Sequence, residues 1–144
     1  MHKIIEKQSD KLLTAWRDLR HHLEISITPF DDVINFFSKF HKVKVYTDPY
    51  DQTTWPTAWE LIEENQYCPF NTILGICYTL QLCERFENIT PIVTISIDTR
   101  CSSVYYLLYL EQKVYGYEDN IWVNQVELPD TLHHIKSYRM PRLH

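Results

Sequence analysis

The 144-residue chain predicts an α+β fold, with N-terminal helices and a buried central helix packed on a small antiparallel sheet. Apolar residues recur at helical spacing as far as residue 86, whereas β-branched and aromatic runs fill residues 91–128. Helices segregated ahead of strands mark α+β rather than alternating βαβ units. Apolar residues make up 44% of the chain and aromatics 14%, enough for one core at single-domain length. Residues 1–144 are therefore read as one domain.

The first helix is expected over residues 3–24, where Leu12, Trp16, Leu19 and Leu23 form one stripe. A second starts at Thr28 as cap, with Pro29 and Asp31 in its first turn and Val33, Phe36, Phe37 and Phe40 inward. VKVY (43–46) reads as a short strand. The turn-rich DPYDQTTWP follows, and then Thr57 and Glu60 form a Thr-x-x-Glu capping box that opens a helix to about Asn65. Residues 69–86 are apolar on nearly every side, so this helix belongs in the centre. Gly75 weakens it by about 1 kcal/mol relative to Ala, which points to close approach by another element.

PIVTISID (91–98), SSVYYLLYL (102–110), KVYGYED (113–119) and IWVNQVEL (121–128) read as strands, with Glu111 and Gln112 as a two-residue hairpin turn. Gly116, between Tyr115 and Tyr117, suggests a bulge or a close backbone approach. The segment from Pro129 onward is ambiguous between helix and strand.

Composition excludes several activities. Gly75 and Gly116 are the only glycines, too far apart for a Gly-rich phosphate loop. Residues 48–130 carry thirteen acidic and three basic side chains, which repels phosphate backbones, so nucleic acid is not an expected partner. No apolar run is long enough to span a membrane and no signal peptide is read at the N-terminus. The expected location is the cytoplasm, with Cys68, Cys77, Cys83 and Cys101 as free thiols. No Cys-x-x-Cys pair and no calcium-loop pattern occurs, and neither a metal nor a cofactor is expected. The His-His pairs at 21–22 and 133–134 do not present both rings to one ion on a helix.

Cys68 precedes Pro69 and so sits at the positive end of the central helix, a position that activates a thiol. A cysteine opening a buried helix, a tight strand pair and an acidic residue ending the third strand follow in order. Over residues 55–120 this arrangement resembles the transglutaminase-like branch of the cysteine-proteinase fold. The resemblance implies a Cys-His-Asp triad from Cys68, a histidine near Ser102 or Ser103, and Asp119 or Glu118. It also sets Tyr105 and Tyr115 near the family's tryptophans. The chain departs from the pattern in having no histidine between residues 42 and 132, and in having Gln66 where the family has Gly. Without an imidazole to take and return the thiol proton, the triad is broken unless His133 or His134 reaches in.

The expected role is a non-catalytic accessory or interaction protein that binds a protein or peptide in a groove beside Cys68. Trp55, Trp59, Tyr105 and Tyr115 would form its walls. The alternatives are a thiol enzyme acting on amide bonds through Cys68, and a metal nuclease. In the second, Asp98 with Glu111-Gln112-Lys113 resembles the PD-(D/E)xK pattern. TDPYDQTTWPTAWELIEENQYC and CPFNTILGICYTLQL are similar to uncharacterised proteins of tailed phages of marine bacteria, which implies a phage accessory role in the host cytoplasm.

Overall fold

The computed structural model describes residues 2–44 and 47–143, with side chains from residue 10 onward. Four helices precede the sheet: α1 (His2–Leu23), α2 (Pro29–Ser38), α3 (Ala58–Glu64) and α4 (Pro69–Gln81). Five strands follow: β1 (Ile92–Asp98), β2 (Ser103–Leu110), β3 (Lys113–Glu118), β4 (Ile121–Asn124) and β5 (Leu132–Arg139). The sheet is antiparallel in the order β4-β3-β2-β1-β5, so the ambiguous C-terminal segment is an edge strand paired with β1. The α+β architecture is the one the sequence predicts.

α4 is the hub, and every residue from Phe70 to Leu80 is buried. α2 brings Phe37 over Gly75, where an added Cβ would lie 2.6 Å from the ring. This is the close approach expected of that glycine. α1 is tied in by Trp16 Nε1, which donates to Thr79 Oγ1 at 2.9 Å, and Thr79 in turn donates to the Gly75 carbonyl at 2.6 Å.

Strand alternation divides the sheet into two faces. Val93, Tyr106, Leu108, Leu110 and Tyr115 join the helical core. Leu107, Tyr109, Val114 and Val123 form a second cluster on the other face, flanked by Ile92, Tyr105, Tyr117, Leu128 and Leu132. Leu128 and Leu132 belong to the segment that carries the chain from β4 across this face to β5.

Four local expectations change, and the first is that the strand expected over 121–128 stops at Asn124, where Gln125–Glu127 turn into a short 3-10 helix. Thr28 makes no side-chain cap, because its hydroxyl donates to the Asp32 carboxylate at 3.1 Å instead. α4 ends at Gln81 rather than near Phe86: Cys83 is extended, and the Glu24 carboxylate accepts the backbone N–H groups of Glu84 and Arg85 at 2.9 and 3.0 Å. The expected strand at 43–46 is reduced to one bridge between Lys42 and Tyr67, and residues 45 and 46 lie outside the described residues. The capping box of Thr57 and Glu60 is present as read, as is the Glu111-Gln112 hairpin turn, with Glu111 at φ 55°. Gly116 has φ 111° and lies where the β3–β4 register shifts, the bulge its position suggested.

Candidate functional site

Cys68 is the N-cap of α4. Pro69, which has no N–H to leave unsatisfied, occupies the first turn. The sulfur accepts the Asn71 backbone N–H at 3.4 Å, and the residue is 2% exposed. Asn71 donates its side-chain amide to the Gln66 carbonyl at 2.9 Å, while its buried Oδ1 has no partner among the described residues. Aromatic rings surround this turn. Phe70 packs 5.4 Å from Tyr106 and 5.0 Å from Trp55, and Trp55 reaches Tyr138 of β5 at 4.8 Å.

Cys68 acts electrostatically on both Lys42 and Tyr106. Burial pushes the Tyr106 phenol upward, and Tyr50, Cys68 and Asp48 add to that. Burial pushes the Lys42 ammonium downward, opposed by Cys68. Among the described residues no histidine is hydrogen-bonded to the thiol.

The alternation of β2 explains what stands where the resemblance requires a histidine. Tyr106 and Leu108 face α4, so Val104 is the first residue of β2 on that face, and Ser103 points away from it. Ser103 Oγ accepts from the Cys101 thiol at 3.2 Å. Val104 was missed because residue type gave it no chemical interest; only the strand register identifies its place. His134 Nδ1 lies 2.7 Å from Ser96 Oγ, with its ring edge-on to Tyr109. Tyr109 belongs to the cluster on the sheet face away from α4. His133 is exposed on β5.

The four expected groove residues do not form one groove. Trp55 and Trp59 line a cavity of about 450 Å³ with Tyr78, Met140 and Leu143. Tyr115 and Tyr105 line a different one, of about 500 Å³, between the start of α4 and the β2–β3 hairpin. The split follows from packing. Trp55 is drawn to Phe70 and Tyr138, Trp59 stands edge-on to Trp16 at 5.6 Å, and the Tyr105 ring lies against Tyr117 at 5.2 Å. Tyr115 is buried beside Trp122 at 5.5 Å.

The larger cavity is lined by Lys42 and Thr72, by Ile73, Val104 and Tyr106, and by Glu118, Asp119 and Asn120 at the β3–β4 turn. Asp119 thus lies on its rim, exposed. Lys42 Nζ donates to Thr72 Oγ1 at 2.8 Å, and Thr72 donates to the Cys68 carbonyl at 3.1 Å.

The carboxylate and lysine of the nuclease pattern are far apart. Asp98 pairs with Ser103 at one end of β2, whereas Glu111-Gln112-Lys113 turns the chain at the other end. Asp98 is buried and engaged by Arg100, whose Nη2 and backbone N–H donate at 2.8 and 3.0 Å. These hydrogen bonds hold its carboxyl well below the usual carboxylate range.

By sequence the chain matches no protein-family model and no curated protein. By structure it is similar to LapG of Legionella pneumophila, with TM-score 0.68 and 17% identity over 96% of this chain and 82% of that one. It is also similar to that protein treated with EGTA, at TM-score 0.65, 17% identity, and coverage of 95% and 78%. For the calcium-bound form the values are 0.64, 14%, 96% and 81%. The chain has the transglutaminase-like, cysteine-proteinase fold.

Proposed function

We propose that this protein is a non-catalytic interaction module that holds a segment of a partner protein on a transglutaminase-like scaffold. The observation that carries the reading is Val104. The first side chain of β2 on the α4 face is aliphatic and neither takes a proton from a thiol nor returns one to a leaving group. The burial of Cys68 and the separate, larger cavity beside it support the same reading. The likeness of residues 47–82 to tailed-phage proteins makes an accessory role in a host cytoplasm part of this proposal. The competing reading, a thiol enzyme acting on amide bonds through Cys68 with a relocated base, has the helix N-terminus in its favour.

Alkylation separates the two. With iodoacetamide between pH 5 and 8, the native protein is expected to label at the exposed Cys101. Cys68 is expected to react no faster than in a urea-unfolded control. Burial pushes the Cys83 thiol up to about 12 and Cys77 upward as well, so both stay unlabelled until unfolding. Rapid labelling of Cys68 at pH 5–6, lost in Cys68→Ser, would overturn the non-catalytic reading.

A further inference from the structure

We infer that the cavity between α4 and the β2–β3 hairpin receives a dipolar peptide segment, with Lys42 binding a carboxylate and Glu118 and Asp119 binding a lysine or arginine side chain. The inference rests on the proposed interaction role and adds the chemistry of the ligand. Its volume, about 500 Å³, falls within the roughly 300–1,000 Å³ usual for small-ligand sites, enough for two or three residues.

The cavity wall carries both signs of charge on different elements, Lys42 beside α4 and Glu118 and Asp119 at the β3–β4 turn, and no ion pair joins them among the described residues. Lys42 forms no ion pair among the described residues, and neither does Glu118 or Asp119. The Lys42 ammonium has three donors, one of which goes to Thr72. The Thr72 proton is directed at the Cys68 carbonyl, so this hydroxyl serves Lys42 as a neutral acceptor and brings no negative charge. The positive end of α4 lies beside it, with Pro69 and Thr72 both in the cavity wall. Burial pushes the Lys42 ammonium downward by more than Cys68 pushes it up, and an arriving carboxylate favours its charged form.

At the β3–β4 turn, Glu118 and Asp119 are exposed and line the same cavity. Ile73, Val104 and Tyr115 add apolar wall to the cavity, suited to the methylene stem of a long basic side chain. A ligand with acidic groups alone is repelled at the turn, and one with basic groups alone is repelled at Lys42. In an extended peptide, residues i and i+2 project to the same side roughly 7 Å apart, so a Lys-x-Glu sequence presents both charges together.

The test is a titration of the intact protein with acetylated, amidated tripeptides: Lys-Ala-Glu, Lys-Ala-Lys, Glu-Ala-Glu and Ala-Ala-Ala. Calorimetry gives affinity, and Trp122 fluorescence reports the site through Tyr115. Lys-Ala-Glu is expected to bind about tenfold tighter than Ala-Ala-Ala, as two partly solvated ion pairs allow, and tighter than Lys-Ala-Lys or Glu-Ala-Glu, whose two charges share one sign. The preference should fall to within about twofold in Lys42→Met and in Glu118→Gln/Asp119→Asn, and persist in Lys42→Arg. Equal binding of Lys-Ala-Glu and Ala-Ala-Ala, no binding of any peptide, or a preference unchanged in both variants would overturn the inference and leave the non-catalytic reading standing. Cleavage of a bound Lys-Ala-Glu peptide, abolished in Cys68→Ser, would overturn the non-catalytic reading while supporting the ligand class.

Discussion

Replacing Gly75 by alanine sets two effects of opposite sign against each other. In a helix interior, alanine is favoured over glycine by about 1 kcal/mol. At this position the new methyl carbon would lie 2.6 Å from Phe37 Cε1, closer than real Cβ contacts come, and 3.0 Å from Cζ. Phe37 has no free space to retreat into: it is fully buried, with Phe36, Phe40 and Tyr67 at centroid distances of 5.1, 6.2 and 5.7 Å. Overpacking of this kind costs about 1–3 kcal/mol. The expected net result for Gly75→Ala is a loss of about 0–2 kcal/mol, or up to about 8 °C in Tm. Urea unfolding followed by circular dichroism at 222 nm gives the value. The sharper measurement uses Phe37→Leu as background. With the ring gone, Gly75→Ala is expected to stabilise the protein by about 0.5–1 kcal/mol through helix propensity alone. Stabilisation by Gly75→Ala in the wild-type background, with the same sign in Phe37→Leu, would refute the close-approach argument.

Two further outcomes follow from the caps and charges. Thr57→Ala removes a hydroxyl that accepts the Glu60 N–H, half of a reciprocal capping box. It is expected to lower stability by about 1 kcal/mol in the same urea assay. Asp98 has a folded-state pKa held below its unfolded value by Arg100. Its contribution is therefore present above about pH 4 and is lost as pH falls toward the folded value. Asp98→Asn should lower the urea midpoint at pH 7, and the gap from wild type should narrow by pH 2; a gap independent of pH would refute this.

Features that depend on a few adjacent residues were legible before the structure. The Thr57-x-x-Glu60 box, Pro69 in the first turn of α4 and the two-residue turn at Glu111-Gln112 depend on local backbone chemistry. Gly75 and Gly116 were legible because a glycine inside a regular element needs a steric or conformational reason. The candidate site was harder to read. Trp55 and Tyr115 sit in different cavities because of which rings each packs against, and that choice is tertiary. Lys42 gave no signal, since its importance comes from the bridge to Tyr67 that brings it beside α4. Val104 shows the limit most directly: counting from the family pattern gives Ser102 or Ser103, but Ser102 lies in the turn before β2 and the strand's period of two turns Ser103 to the other face.

The strand order also has a consequence for the growing chain. β1 is hydrogen-bonded on one side by β2, which follows it closely, and on the other by β5, the fifth of the described strands in chain order. Residues 99–139 must all be added before that second side is covered, an interval of roughly 2–8 s at typical synthesis rates. During it the β1–β2–β3–β4 meander can pair within itself, while β1 presents an open row of N–H and C=O groups beside Val93 and Ile95. Aggregation of a ribosome-bound or truncated chain would therefore begin at β1, and the C-terminal strand is the segment that closes that edge.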